Sequence, residues 1–282
     1  MRSVLLAAFL LLSIQGTYGD VAAERVIDSE QRQDRNGVVY EVNATEPFTG
    51  IVVWGPYWNG QVKIGEANYV NGELHGLFTS WYQNGQTKSE TNYAYGERHG
   101  LNTVWYENGQ KLSERNYVNG KTSEHTTWYE NGQNKAKANY VNDEEHGLYI
   151  LYYENGQKEI ENNNVNGKKH GLSTSWYENG QKKSERNYAN GEFHGLSTQW
   201  YKNGQKKLEQ NFINGAYHGL ATLWYENGQK ELESNWVNGD QHGLGAQWYE
   251  NGQKKSERNW VNGEQHGSTH WDNNGRVIEE NN

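Results

Sequence analysis

A chain of 282 residues in which only 33% are hydrophobic, with Trp 12 and Tyr 20 against Phe 5, lacks the aliphatic material for a thick core. The absence of cysteine removes disulfides, thiol nucleophiles, thiolate metal sites and a lipid-attachment residue. A formal net charge of -9 supplies no positive field to draw nucleic acid.

In chain order, residues 1–19 begin with Arg2, run apolar from Val4 to Ile14 and end in small residues at Thr17 and Gly19. That is the outline of a secretory signal peptide. Its apolar run of 11 residues falls short of the ~20 that span a bilayer. Export of the mature chain is therefore expected, with no later segment apolar enough to span. Residues 20–35 are polar, carry Glu24, Asp28, Glu30 and Asp34 without apolar periodicity, and read as a loose or weakly helical leader. From Asn36 the pattern changes to turn and strand: Val38-Val39-Tyr40-Glu41-Val42 and Ile51-Val52-Val53-Trp54 flank a turn at Pro47-Phe48-Thr49-Gly50. Residues 36–58 read as the terminal unit that covers the first open face of a repeat array occupying 36–282.

The array announces itself by its period. One aromatic column holds Trp81, Trp105, Trp128, Tyr152, Trp176, Trp200, Trp224, Trp248 and Trp271, at steps of 24 with two of 23. A second holds Tyr93, Tyr117, Tyr140, Tyr188, Phe212, Trp236 and Trp260, interrupted only by Asn164 in the weak run Glu161-Asn162-Asn163-Asn164. Each repeat has two turn signals, E-N-G-Q and N-G-x-x-H-G, and Asn-Gly between strand-forming runs predicts a two-residue type I′ hairpin. Short links force antiparallel pairing of consecutive strands. The predicted fold is all-β: an elongated, twisted, single-sheet antiparallel meander of tandem 24-residue hairpins, open like a solenoid.

With Asn179-Gly180 as a two-residue turn, Glu178 faces Gln181, Trp176 faces Lys183, Thr174 faces Glu185 and Leu172 faces Asn187, all on one face. Tyr177, Ser175, Ser173, Lys182, Ser184, Arg186 and Tyr188 then share the other. The Trp column is read as structural packing, and the Tyr93-to-Trp260 column as the candidate partner surface.

The elements G-x-x-T-x-W-Y-E-N-G-Q and N-Y-x-N-G-x-x-H-G resemble the MORN repeat, in the variant found in bacterial tandem arrays often labelled as antitoxin components. The opening Asn36-Gly37-Val38-Val39-Tyr40 followed by Glu46-Pro47-Phe48-Thr49-Gly50 is similar to how such arrays begin. The resemblance covers about Asn36 to the C-terminus. It implies an extended sheet of hairpins that acts as an interaction surface or scaffold without catalysis, and in some MORN proteins the repeats are credited with binding phospholipid heads or partner proteins. A signal peptide does not suit a cytosolic antitoxin, so that label is not carried over.

The remaining chemistry is periodic. His75, His99, His146, His170, His194, His218, His242 and His266 precede glycine in one column, where equivalent positions lie two strands, about 9.5 Å, apart. One zinc ion needs all its ligands at ~2 Å and cannot bridge that gap, so the imidazoles are expected to satisfy backbone groups near the turn. Their shared ordinary pKa near 6.5 leaves acid sensitivity as a secondary expectation. The glutamates also repeat, in a turn column at Glu107, Glu130, Glu154, Glu178, Glu226 and Glu250, where a catalytic residue would be singular. No catalytic, cofactor or metal set is expected, and the lysine pairs Lys182-Lys183, Lys206-Lys207 and Lys254-Lys255 are expected to keep the sheet soluble. The functional expectation is an exported, non-enzymatic array presenting its surface to a protein. A module that binds envelope glycan or lipid headgroups through its aromatic rows is the alternative.

Overall fold

A computed structural model describes residues 25–55 and 63–281; the apolar leader at residues 1–19 and the Asn59-Gly60 turn lie outside the described residues. A 24-stranded sheet carries the chain. From Gly50–Trp54 onward each strand pairs antiparallel with its sequence neighbour, through to Val277–Asn281. This is the predicted meander, and the edge strand Val26–Asp28 is added to it in parallel against Gly50–Trp54.

The described part of the polar leader, residues 25–35, is not loose. Asp28 caps a short 3-10 turn at Ser29–Gln31, accepting from the Glu30 backbone N–H at 2.9 Å, and Arg32–Arg35 pairs antiparallel with Val38–Glu41. These pieces fold over the first strands and enclose a hydrophobic core made of Ile27, Val39, Phe48, Val52, Ala67 and Tyr69. Over residues 25–35 the expectation of a loose or weakly helical leader is overturned, because strands of three and four residues leave no apolar period to detect, and residues 20–24 lie outside the described residues.

One repeat shows how the array is built. Strand Gly171–Trp176 turns into Lys182–Ala189, which turns into Glu192–Trp200. The second turn is the expected type I′, with Asn190 at φ 52° and Gly191 at φ 90°. The first is not. Only Gly180 has positive φ, at 83°, and its N–H donates to the Tyr177 carbonyl at 2.8 Å, while the Tyr177 N–H donates to Gln181. Asn179 keeps ordinary backbone because its Oδ1 accepts from the Gln181 N–H at 3.1 Å, making a three-residue loop.

That longer loop shifts the register next to it. Thr174 pairs with Glu185 and Leu172 with Asn187 as predicted, but a bulge sets Trp176 opposite Lys182, not Lys183, and Tyr177 rather than Glu178 closes onto Gln181. The two lysines therefore exchange faces. Lys182 joins the Trp face, where it is ion-paired to Glu185 at 2.5 Å and lies 6.0 Å over the Trp200 ring of the next repeat. Lys183 joins the Tyr face, 5.8 Å over the Tyr177 ring.

Successive hairpins are tied along the first-turn edge. The Tyr177 hydroxyl donates to the Trp200 carbonyl at 2.8 Å, and Tyr82, Tyr106, Tyr129, Tyr153, Tyr201, Tyr225 and Tyr249 make the same bond to the following repeat. Burial, then neighbouring glutamates, hold the Tyr153 and Tyr201 phenols above their ordinary value, so they stay protonated donors. Asn155 works twice: its Oδ1 accepts from Gln157 at 3.0 Å within its own turn, and its Nδ2 donates to the Glu178 carbonyl of the next at 2.9 Å. Tyr177→Phe deletes one such bond and leaves a half-covered carbonyl, so a loss of about 1 kcal/mol is expected, read as a lowered urea midpoint with unchanged slope.

Candidate interaction face

The sheet has two chemically distinct faces. On one, the row of Trp81, Trp105, Trp128, Tyr152, Trp176, Trp200, Trp224, Trp248 and Trp271 is half-buried throughout. Lysine lies over the next repeat's ring there, with Lys158 above Trp176, Lys206 above Trp224, Lys230 above Trp248 and Lys254 above Trp271. Beside it runs a row of threonines, of which Thr79, Thr103, Thr174, Thr198 and Thr222 are buried, and then the exposed Leu77, Leu101, Leu148, Leu172, Leu196, Leu220 and Leu244.

The other face is a long groove. One wall is the Tyr177 row. The floor is made of small residues, with Ser184 at 4% exposure and Ser197 at 2%, which sit low because large side chains rise on both sides. The second wall is the Tyr93, Tyr117, Tyr140, Tyr188, Phe212, Trp236 and Trp260 column, on the same face as Ser184 and Arg186. Tyr69 heads this column and is buried in the cap core.

Midway the column becomes a continuous stack. Ring centroids lie 5.0 Å apart for Tyr188–Phe193, 5.0 Å for Phe193–Phe212, 4.8 Å for Phe212–Tyr217 and 5.1 Å for Tyr217–Trp236. Phe193 and Tyr217 were not singled out from the sequence. Their position holds Leu74, Arg98, Thr122, Glu145 and Lys169 in other repeats, so periodicity does not flag it. The usable signal is cross-strand pairing, which sets Phe193 opposite Tyr188 and Tyr217 opposite Phe212.

Toward the N-terminus the same wall is charged. Arg98 Nη1 donates to the Tyr117 hydroxyl at 3.1 Å, and hydrogen bonds to the Tyr93 and Tyr117 phenols hold the guanidinium above its ordinary value. Burial works to raise the Tyr117 phenol, but hydrogen bonds from Arg115 and Arg98 outweigh it and hold it low. Asn164, the gap in the column, is buried, at 4% exposure, and donates to Glu145 Oε2 at 2.7 Å. Glu161 to Asn164 lies within a continuous strand, Lys158–Val165, because polar partners replace the missing ring.

The histidines depart from expectation. At the second bulge, where Arg186 pairs with Ser197 but Tyr188 with Phe193, it is backbone that bonds: the His170, His218 and His242 N–H groups donate to Asn163, Asn211 and Asn235 carbonyls at 2.8, 2.9 and 2.9 Å. The rings do not satisfy backbone groups; Nδ1 of His146 and of His218 is buried without a partner among the described residues. The off-column His125 accepts or donates with Ser113 Oγ at 3.0 Å. Burial, reinforced by Arg115, holds its imidazole below the ordinary 6.5. The unfolded chain thus takes up the proton first, and the stability His125 contributes above about pH 6.5 is lost as pH falls through its folded value. His125→Gln is expected to flatten the fall in urea midpoint between about pH 7 and about pH 5.

Among the described residues no three His, Asp or Glu side chains gather closely enough to hold a metal ion. The strand glutamates Glu114, Glu161, Glu185, Glu209, Glu233 and Glu257 are each engaged by the lysine three residues earlier. No helix among the described residues is long and apolar enough to cross a membrane.

No curated protein matches this chain. The model of the MORN repeat variant matches residues 74–95, 98–119, 121–142, 145–163, 169–190, 193–214, 217–238 and 241–262. Each matched segment spans one hairpin from the end of one type I′ turn to the start of the next, except 145–163, which stops within the strand Lys158–Val165. With more than half of its length in such hairpins, the chain belongs to the MORN repeat variant family.

Proposed function

We propose that this protein is an exported, non-catalytic scaffold whose grooved face receives a protein partner. Export rests on the signal-peptide outline of residues 1–19. The observation that carries the partner assignment is the ring stack from Tyr188 to Trp236, a rigid, partly exposed aromatic strip continuous across neighbouring hairpins. Such side chains lose little entropy on association and anchor protein interfaces. A sugar-stacking role is less well supported, since Lys88, Lys135, Lys183, Lys207 and Lys255 lie over the Tyr82, Tyr129, Tyr177, Tyr201 and Tyr249 rings and would have to leave first.

Crosslinking in the native cell envelope, followed by mass spectrometry, tests the reading. A stoichiometric protein crosslinked through the grooved face supports it. Recovery of envelope glycan or lipid, with no protein, would replace it with the alternative binding module.

A further inference from the structure

The grooved face is not electrostatically uniform. Where the first-turn column carries Glu107, Glu130, Glu154, Glu178, Glu226 and Glu250, one repeat carries Lys202. The same stretch holds Lys183 and Lys207, lysines in successive repeats at the position where Glu159 and Glu231 stand on either side. Among the described residues Lys183, Arg186, Lys202 and Lys207 form no ion pair, whereas Lys182 and Lys206 on the opposite face are neutralised by Glu185 and Glu209.

These departures from repetition converge on one place. An open groove of about 350 Å³ is lined by Lys183, Arg186 and Lys207 together with the Tyr153 and Tyr177 side chains, with Glu159 as its single acid. Lys202 lines an adjoining hollow that shares Tyr177 with the groove, 5.9 Å from the ring centroid, with Lys183 at 5.8 Å from the same ring. The groove floor offers hydroxyls, the Ser175 and Ser184 oxygens lying 2.7 Å apart.

We infer that this groove binds an acidic, extended peptide segment, resting on the protein-partner reading above and naming the chemistry of the partner. Lys183 and Lys207 rise from strands two apart, about 9.5 Å, and Arg186 stands about 10 Å along the strand from Lys183. An extended chain presents carboxylates on one side every ~7 Å, a spacing that long lysine and arginine side chains cover. The molecule as a whole carries -9, so an acidic segment is drawn to this cationic stretch against a repelling average field, which gives register as well as affinity. An acidic polysaccharide is disfavoured at the Tyr177 ring, which already carries Lys183 and Lys202 and which a sugar ring could stack on only by displacing them.

The test is fluorescence anisotropy with a labelled Glu/Asp-rich peptide on the full-length protein, using three variants. Lys202→Glu restores the residue most repeats carry, so it folds, and it should weaken binding about tenfold. Lys183→Gln/Lys207→Gln should do at least as much. Lys182→Gln/Lys206→Gln changes net charge by the same amount on the other face and should move affinity less than about twofold. Wild-type binding should also fall as salt rises from about 0.05 to about 0.3 M. Equal losses in both double variants, or no wild-type binding at low salt, would overturn the site. Tighter binding of an oligogalacturonate or of anionic vesicles would overturn the peptide assignment. A partner crosslinked elsewhere on the grooved face, with no peptide bound here, would sink this inference and leave the scaffold reading standing.

Discussion

Phe48→Ala is expected to cost about 3–5 kcal/mol, well above the truncation of a leucine in the repeats. Phe48 is 1% exposed and sits among Ile27, Val39, Val52, Ala67 and Tyr69, with the Arg25 guanidinium 5.4 Å from its ring centroid. Farther along, the exposed leucine row offers much less, since Leu196 is 49% exposed and its truncation removes a small fraction of that burial. Because each hairpin contacts only its neighbours, the damage should also be directional. Amide hydrogen exchange should accelerate in Gly50–Trp54 and Gly65–Val70 and stay protected in Lys206–Ile213. Acceleration that is uniform along the chain would mean that the array unfolds as one unit and that the cap has no separate role.

The repeats were legible in the sequence because a thin sheet places its few large side chains at one phase. Trp176 can face only one way if Thr174 and Leu172 share its face, and a 24-residue step repeats that constraint. What escaped was decided by side chains acting on backbone. Asn190-Gly191 and Asn179-Gly180 read alike, yet the Asn179 carboxamide holds Gln181 and keeps its own φ negative, so one turn is type I′ and the other is not. A single extra loop residue then makes Lys182 and Lys183 exchange faces, which puts the paired cations on the Trp face and the unpaired ones on the Tyr face. The candidate site was legible only in part for the opposite reason. Lys202, Phe193 and Tyr217 matter because they break the repeat, and a search for columns averages such residues away.

The glycines of two identical turns give the cleanest test of how the cap sits on the array. Gly72 and Gly96 each follow a residue in the left-handed region, Asn71 and Tyr95, and each has φ 78°. Alanine at either position meets the same left-handed strain, about 1–2 kcal/mol. A Cβ at Gly96 would meet nothing within 4 Å, whereas at Gly72 it would stand 2.7 Å from the Val39 carbonyl oxygen and 2.9 Å from its nitrogen. Backbone cannot swing aside as a side-chain tip can. The Gly72 N–H also donates to the Phe48 carbonyl at 2.7 Å and its carbonyl accepts from Val39 at 2.9 Å, so relief of the clash breaks the seam between cap and array. Gly96→Ala should therefore cost about 1–2 kcal/mol and Gly72→Ala about 3–5 kcal/mol. Urea midpoints give the difference, and loss of exchange protection at the Val39 amide in Gly72→Ala alone locates it. Equal costs would mean that the cap does not rest on this turn, and the hydrophobic core built around Phe48 would then lose its lid.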